Sequence, residues 1–95
     1  MSRTHDATLA VAVSTVANAA GAWPELAADE RAAAFAAAID AVEAVESAPI
    51  ERQHHLLAAK RALVDGTAEG LSGSDRRAAL LTARGQLDRI GMADR

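Results

Sequence analysis

The chain has no cysteine and no tyrosine, one tryptophan, one phenylalanine, two prolines and a single lysine. Without cysteine there are no disulfides, no thiolate metal ligands and no cysteine nucleophile, which is compatible with a reducing compartment; the cytoplasm is the expected location. With tyrosine missing too, few groups remain for acid–base or nucleophilic chemistry. Gly66, Gly70 and Gly73 lack the lysine and the preceding strand that a phosphate-binding loop needs. No Ser, His and Asp cluster stands in a recognisable nucleophile context. The chain therefore reads as a non-enzyme with no cofactor.

Long apolar runs are also scarce. Residues 7–24 carry no charge, but Ser14, Thr15 and Asn18 interrupt the run and alanine dominates it, so it is too weakly hydrophobic to insert in a bilayer. Asp6 at its start argues against a cleaved leader, despite the small residues of "VANAAG". No membrane association is expected.

What the chain has in quantity is alanine. Its 95 residues contain 26 Ala against 19 Leu, Ile, Val and Phe, so most of the apolar content buries little area per side chain. Without internal repeats, residues 1–95 form a single helical domain with a thin core. A core of that kind yields only a few kcal/mol in so short a chain, which favours a second copy or another partner. Net charge is −3, distributed unevenly. Residues 1–46 carry seven acids against Arg3 and Arg31, and residues 47–95 six acids against eight bases. Neither half reaches the basic density of a nonspecific nucleic-acid binder.

Periodicity predicts an all-α fold of about four helices, near 5–20, 27–47, 49–65 and 73–90, in a small bundle or irregular array. Leu9, Val13, Val16, Ala17 and Ala20 give the first stripe, with Gly21 as a stop; a strand competes over residues 7–20, where Leu9, Val11 and Val13 alternate. Trp23-Pro24 breaks the chain. Phe35, Ala38, Ile39, Val42 and Val45 define the second helix, with Asp29 and Glu30 at its positive end. Pro49 suits the first turn of the third, whose apolar arc of Ile50, Leu56, Leu57, Leu63 and Val64 is interrupted by Gln53 and Lys60. Gly66 closes that helix, and "GTAEGLSG" is the one clear internal loop. Ser72 and Asp75 have capping-box spacing before a helix striped by Leu80, Ala83, Leu87 and Ile90, with Arg84 and Asp88 paired on its side. Residues 91–95 are expected to be a frayed tail.

Three functional candidates follow. The segment "ERQHHLLAAKR" contains Glu51-x-x-His54, the form used in carboxylate bundles that bind di-iron centres, and Asp40, Glu43 or Glu46 of the second helix could approach it across a hairpin. Against a metal site, His54 and His55 point about 100° apart on a helix, and Glu51 and His54 lie at the margin of the apolar arc. Solvated histidines explain the pattern at less cost. A helix-turn-helix around Gly70-Leu71-Ser72, with Arg76 and Arg77 on the following helix, lacks the apolar residue its second helix needs and sets Asp75 against phosphate. The third candidate is a protein-docking surface. "AAAFAAAI" makes the second helix apolar on every side, leaving Ala33, Ala37, Ala41 and Ala44 as a second face. Gln53 and Lys60 are either peripheral polar residues or contacts within that interface, and Trp23 either staples the first two helices or anchors a partner.

The sequence is accordingly read as a small protein–protein interaction module, an adaptor, subunit, antitoxin or inhibitor. The expected partners are another protein and a second copy of the chain, as a homodimer or larger homo-oligomer, not nucleic acid. No metal ligand is assigned; the metal-binding bundle is the first alternative and DNA binding the second.

Overall fold

A computed structural model describes residues 3–45 and 50–93, with side chains described over 7–45 and 53–90. Four helices form: α1 (Arg3–Ala22), α2 (Ala28–Glu43), α3 (Ile50–Asp65) and α4 (Gly73–Ala93), with a single 3-10 turn at Trp23–Glu25 between the first two. No strand occurs among the described residues. The alternation at Leu9, Val11 and Val13 belongs to α1, where Leu9 is buried and Val11 lies 58% exposed. A lone strand would leave its backbone groups unpaired, whereas a helix closes its own hydrogen bonds.

Each helix packs on its sequence neighbours and α4 closes back on α1; the α3–α4 interface is the most extensive and α2–α3 the thinnest of the ring. Short connections impose this antiparallel order. The molecule measures 40 × 20 × 18 Å, its long axis accommodating helices of 16 to 21 residues, about 24 to 32 Å each. Among the described residues no helix is long and apolar enough to cross a membrane.

The expected stripes supply most of the core, with Val13, Ala17 and Ile39 only half-buried at its edge. Phe35, Ala38, Val42 and Val45 are buried from α2 and the turn after it, and Leu80, Ala83, Leu87 and Ile90 from α4, the last four with no exposed surface. Leu9, Ala12, Val16, Ala19 and Ala20 come from α1. In α3 the apolar arc is narrower than its sequence suggests. Leu56, Ala59 and Leu63 are buried, while Leu57 and Val64 are 65% and 57% exposed. Leu56, Ala59 and Leu63, spaced i, i+3 and i+7, make the buried face, and Leu57 and Val64 fall about 100° round the helix from Leu56 and Leu63.

Helix ends follow their local chemistry. Asp75 N–H donates to Ser72 Oγ (3.1 Å) and Ser72 N–H donates to the Asp75 carboxylate (3.3 Å), the expected box at the start of α4. At α2 only half of such a box exists: Glu30 accepts the Ala27 N–H (2.8 Å), and Ala27 has no side-chain acceptor to return. Gly21 does not stop α1, which runs through to Ala22; a Cβ there would meet nothing within 4 Å. The breaks come instead at Trp23-Pro24, where proline cannot extend the helix. The second helix ends at Glu43, short of the expected 47, and residues 46–49 lie outside the described set. The segment expected to fray is helical through Ala93, continuing the turn that the buried Ile90 anchors.

Candidate functional site

Trp23 organises one end of the bundle. Its ring is 4% exposed, and its indole N–H donates to the Gly73 carbonyl (2.8 Å), tying the 3-10 turn to the start of α4 across fifty residues of sequence. Phe35 of α2 meets it edge to face, ring centroids 6.2 Å apart. Arg31, two turns after the 3-10 segment, lies over the indole (5.2 Å to the centroid) and donates Nε–H to the Trp23 carbonyl (3.0 Å). Trp23 therefore joins α1, α2 and α4 from inside.

Two further arginines work at the same end. Arg77 donates Nε–H to the Ala20 carbonyl (2.9 Å) in the last turn of α1, where helix carbonyls lack an intrahelical partner. Arg76 donates to the Ala68 carbonyl (3.3 Å) in the connecting loop. Each of these two side chains thus bonds within the chain, and Gly70, at φ +87°, supplies the one positive-φ turn among the described residues. Helix–loop–helix geometry is present, but the arginines of the helix-turn-helix alternative serve as backbone clasps.

The histidine pair lies on α3. His54 is exposed and His55 half-buried, their rings 3.9 Å apart despite the wide angle between their Cα–Cβ directions. His55 Nδ1 and Gln86 Oε1 of α4 are 2.8 Å apart; an amide oxygen only accepts, so this pairing places the proton on Nδ1. That bond turns His55 towards α4. The Glu51 side chain and residue Glu46 lie outside the described residues, and among the described residues no group of three His, Asp or Glu side chains could hold a metal ion.

The second face of α2 is open. Ala33, Ala37 and Ala44 are exposed and Ala41 half-buried, and Ala32 and Ala36 extend the exposed alanine surface. Asp29, Glu30, Asp40 and Glu43 accompany it, all exposed, with Glu30 in line with Ala37 and Ala44. On α3, Gln53 and Leu57 are exposed, Lys60 is half-buried and Val64 exposed. Spaced i, i+4, i+7 and i+11, they share one stripe, on the flank opposite His55 and hence away from α4. The structure thus separates residues that the sequence grouped: Gln53 and Lys60 stand with the exposed Leu57 and Val64, not with the buried Leu56 and Leu63, and Trp23 lies inside the fold rather than on the α2 face.

The three-arginine cluster around Trp23 had no local sequence signal, because Arg31, Arg76 and Arg77 reach carbonyls 8 to 57 residues away. Compared with known proteins, the chain matches no family model, no curated protein and no solved structure.

Proposed function

We propose that the protein is a non-catalytic interaction module, located in the cytoplasm, that assembles with itself and with a protein partner through the outer face of α2. The observation that carries this reading is the exposed alanine surface of Ala33, Ala37 and Ala44 on a helix whose opposite face already fills the core. An amphipathic surface helix ordinarily has a polar outer face. Alanine there gives no solubility and binds no ion, but it lets a second helix approach closely over a continuous stretch, as ridges into shallow grooves. Leu57 and Val64 on α3 add larger apolar side chains outside the core. Asp40 and Glu43 on α2, against Lys60 and Arg61 on α3, give the surface opposite charges on neighbouring helices, which would orient a second copy with α2 over α3.

A homodimer is the simplest assembly of this kind, and an adaptor, subunit, antitoxin or inhibitor role would use the same face on a partner helix. Ala37→Glu tests it. A carboxylate at the centre of the alanine face would be buried unpaired in the interface, so sedimentation velocity should report loss of the oligomer with unchanged far-UV circular dichroism. An oligomer that survives the substitution would remove α2 as the contact.

A further inference from the structure

The Trp23 end of the bundle contains a cleft of about 210 Å³ with an unusual lining. It is lined by Trp23, Phe35, Ala28, Ala32 and Gly73, and by two arginines from different helices, Arg31 of α2 and Arg76 of α4. No carboxylate lines it. The nearby acids are engaged or stand apart: Glu30 accepts the Ala27 N–H, Asp75 accepts the Ser72 N–H, and Asp29, next to Ala28, is not among the lining residues.

We propose that this cleft, which shares Ala32 with the alanine surface of α2, binds a small phosphate-class dianion. A guanidinium has five N–H donors in a planar fork that matches the oxygens of phosphate. Arg31 gives Nε–H to the Trp23 carbonyl and Arg76 one donor to the Ala68 carbonyl, bonds that orient each side chain and leave the rest of its fork available. The two carbonyl contacts act as supports, so little side-chain freedom is lost when an anion arrives. Cation stacking on Trp23 holds the Arg31 guanidinium beside the ring.

Gly73 is matched to this arrangement. A Cβ at that position would lie 2.9 Å from Arg31 Nη1 and 3.5 Å from Trp23 Nε1, so a larger residue would make the guanidinium shift from its place at the start of α4. With two positive groups and no lining acid, a dianion neutralises the cleft and a monoanion does so by half. The volume is below that of drug-sized pockets and suits a phosphoryl group, either as the free ion or at the end of a small ester.

Trp23, the only tryptophan, is the reporter. The full-length protein is titrated with inorganic phosphate at constant ionic strength, following indole fluorescence, with sodium chloride as the screening control. A saturable change with a Kd on the order of 1 mM or tighter is expected. Arg76→Gln, which leaves the Trp23 and Arg31 contacts in place, should weaken it at least about tenfold, with the far-UV spectrum unchanged. Arg76→Lys should fall between the two, keeping charge without the fork. Gly73→Ala should weaken binding as well by displacing Nη1.

Acetate should bind at least about tenfold more weakly than phosphate, because it brings half the charge. Tighter binding of O-phosphoserine than of phosphate would assign the ester as the natural form, and equal or weaker binding the free ion. No saturable change, the same change with chloride, equal affinity for acetate, or an unaltered Kd in Arg76→Gln would each overturn the proposal.

Discussion

Replacing glycine by alanine at two positions should change stability in opposite directions, and the structure gives the sizes. At Gly66 an added Cβ would stand 2.6 Å from Phe35 Cζ, 2.9 Å from Ala79 Cβ and 3.3 Å from Phe35 Cε2. Ordinary carbon contacts are about 3.5–4.0 Å, so the ring and Ala79 would each have to retreat by roughly 1 Å. Phe35 can yield only towards the cleft it lines, since Trp23 beside it is held by its bond to Gly73. Forcing a methyl into a packed core costs about 1–3 kcal/mol. The gain from restricting the unfolded chain, about 0.4–1 kcal/mol, offsets part of that.

Gly66→Ala should therefore destabilise by about 1–2 kcal/mol net. Gly85 makes the contrast. It lies inside α4, its φ is not positive, and a Cβ would meet nothing within 4 Å. Alanine there should stabilise by about 0.5–1 kcal/mol through helix propensity alone. Urea unfolding followed by circular dichroism, at one protein concentration and with m unchanged, measures both. In a domain of this size each kcal/mol moves Tm by about 4–8 °C, so the two variants should separate clearly. If Gly66→Ala were as stable as the parent, or if both variants moved in the same direction, the packing of Phe35 against the end of α3 would be refuted.

Other substitutions follow from the same contacts. Leu87→Ala, at a site with no exposed surface, should cost about 2–5 kcal/mol by urea unfolding. Trp23→Phe removes the indole donor and leaves the Gly73 carbonyl without it, for a loss of about 1–3 kcal/mol and a lower Tm. Ser72→Ala breaks the cap of α4 at a cost of about 1 kcal/mol, checked in the same assay. Leu57→Ser should leave the unfolding free energy of the dilute protein within about 0.5 kcal/mol, since the side chain is 65% exposed; a larger loss confined to high concentration would place Leu57 inside an assembly contact.

The helices were legible because their information is local. The Phe35–Ala38–Val42–Val45 and Leu80–Ala83–Leu87–Ile90 stripes recur at helical spacing, and Ser72 with Asp75, or Arg84 with Asp88 (3.8 Å), involve partners within four residues. Where the sequence misled, the deciding contact is distant. Leu57 and Leu63 look equivalent on α3, yet the buried face is centred on Ala59, which puts Leu63 inside and leaves Leu57 on the exposed flank. Gly66 reads as a conformational stop, yet positive φ occurs at Gly70 and not at Gly66, whose missing side chain makes room for Phe35. Gly21 has the same local signature and no such role.

The candidate site divides in the same way. The alanine face of α2 can be read directly from "AAAFAAAI", because composition alone leaves a second apolar side. The Trp23 cleft cannot, since it needs Arg31 and Arg76 from separate helices at opposite ends of the sequence, and Gly73 opposite the indole. Histidine adjacency in "QHH" suggested two diverging side chains, whereas the rings stack once His55 turns to Gln86.

The most direct measurement is native mass spectrometry of the untagged protein prepared without chelator, across a range of concentrations. Assembly through the outer alanine face of α2 predicts a metal-free dimer or higher oligomer. A monomer at every concentration, or one carrying stoichiometric iron or zinc, would contradict it and return attention to Glu51 and His54.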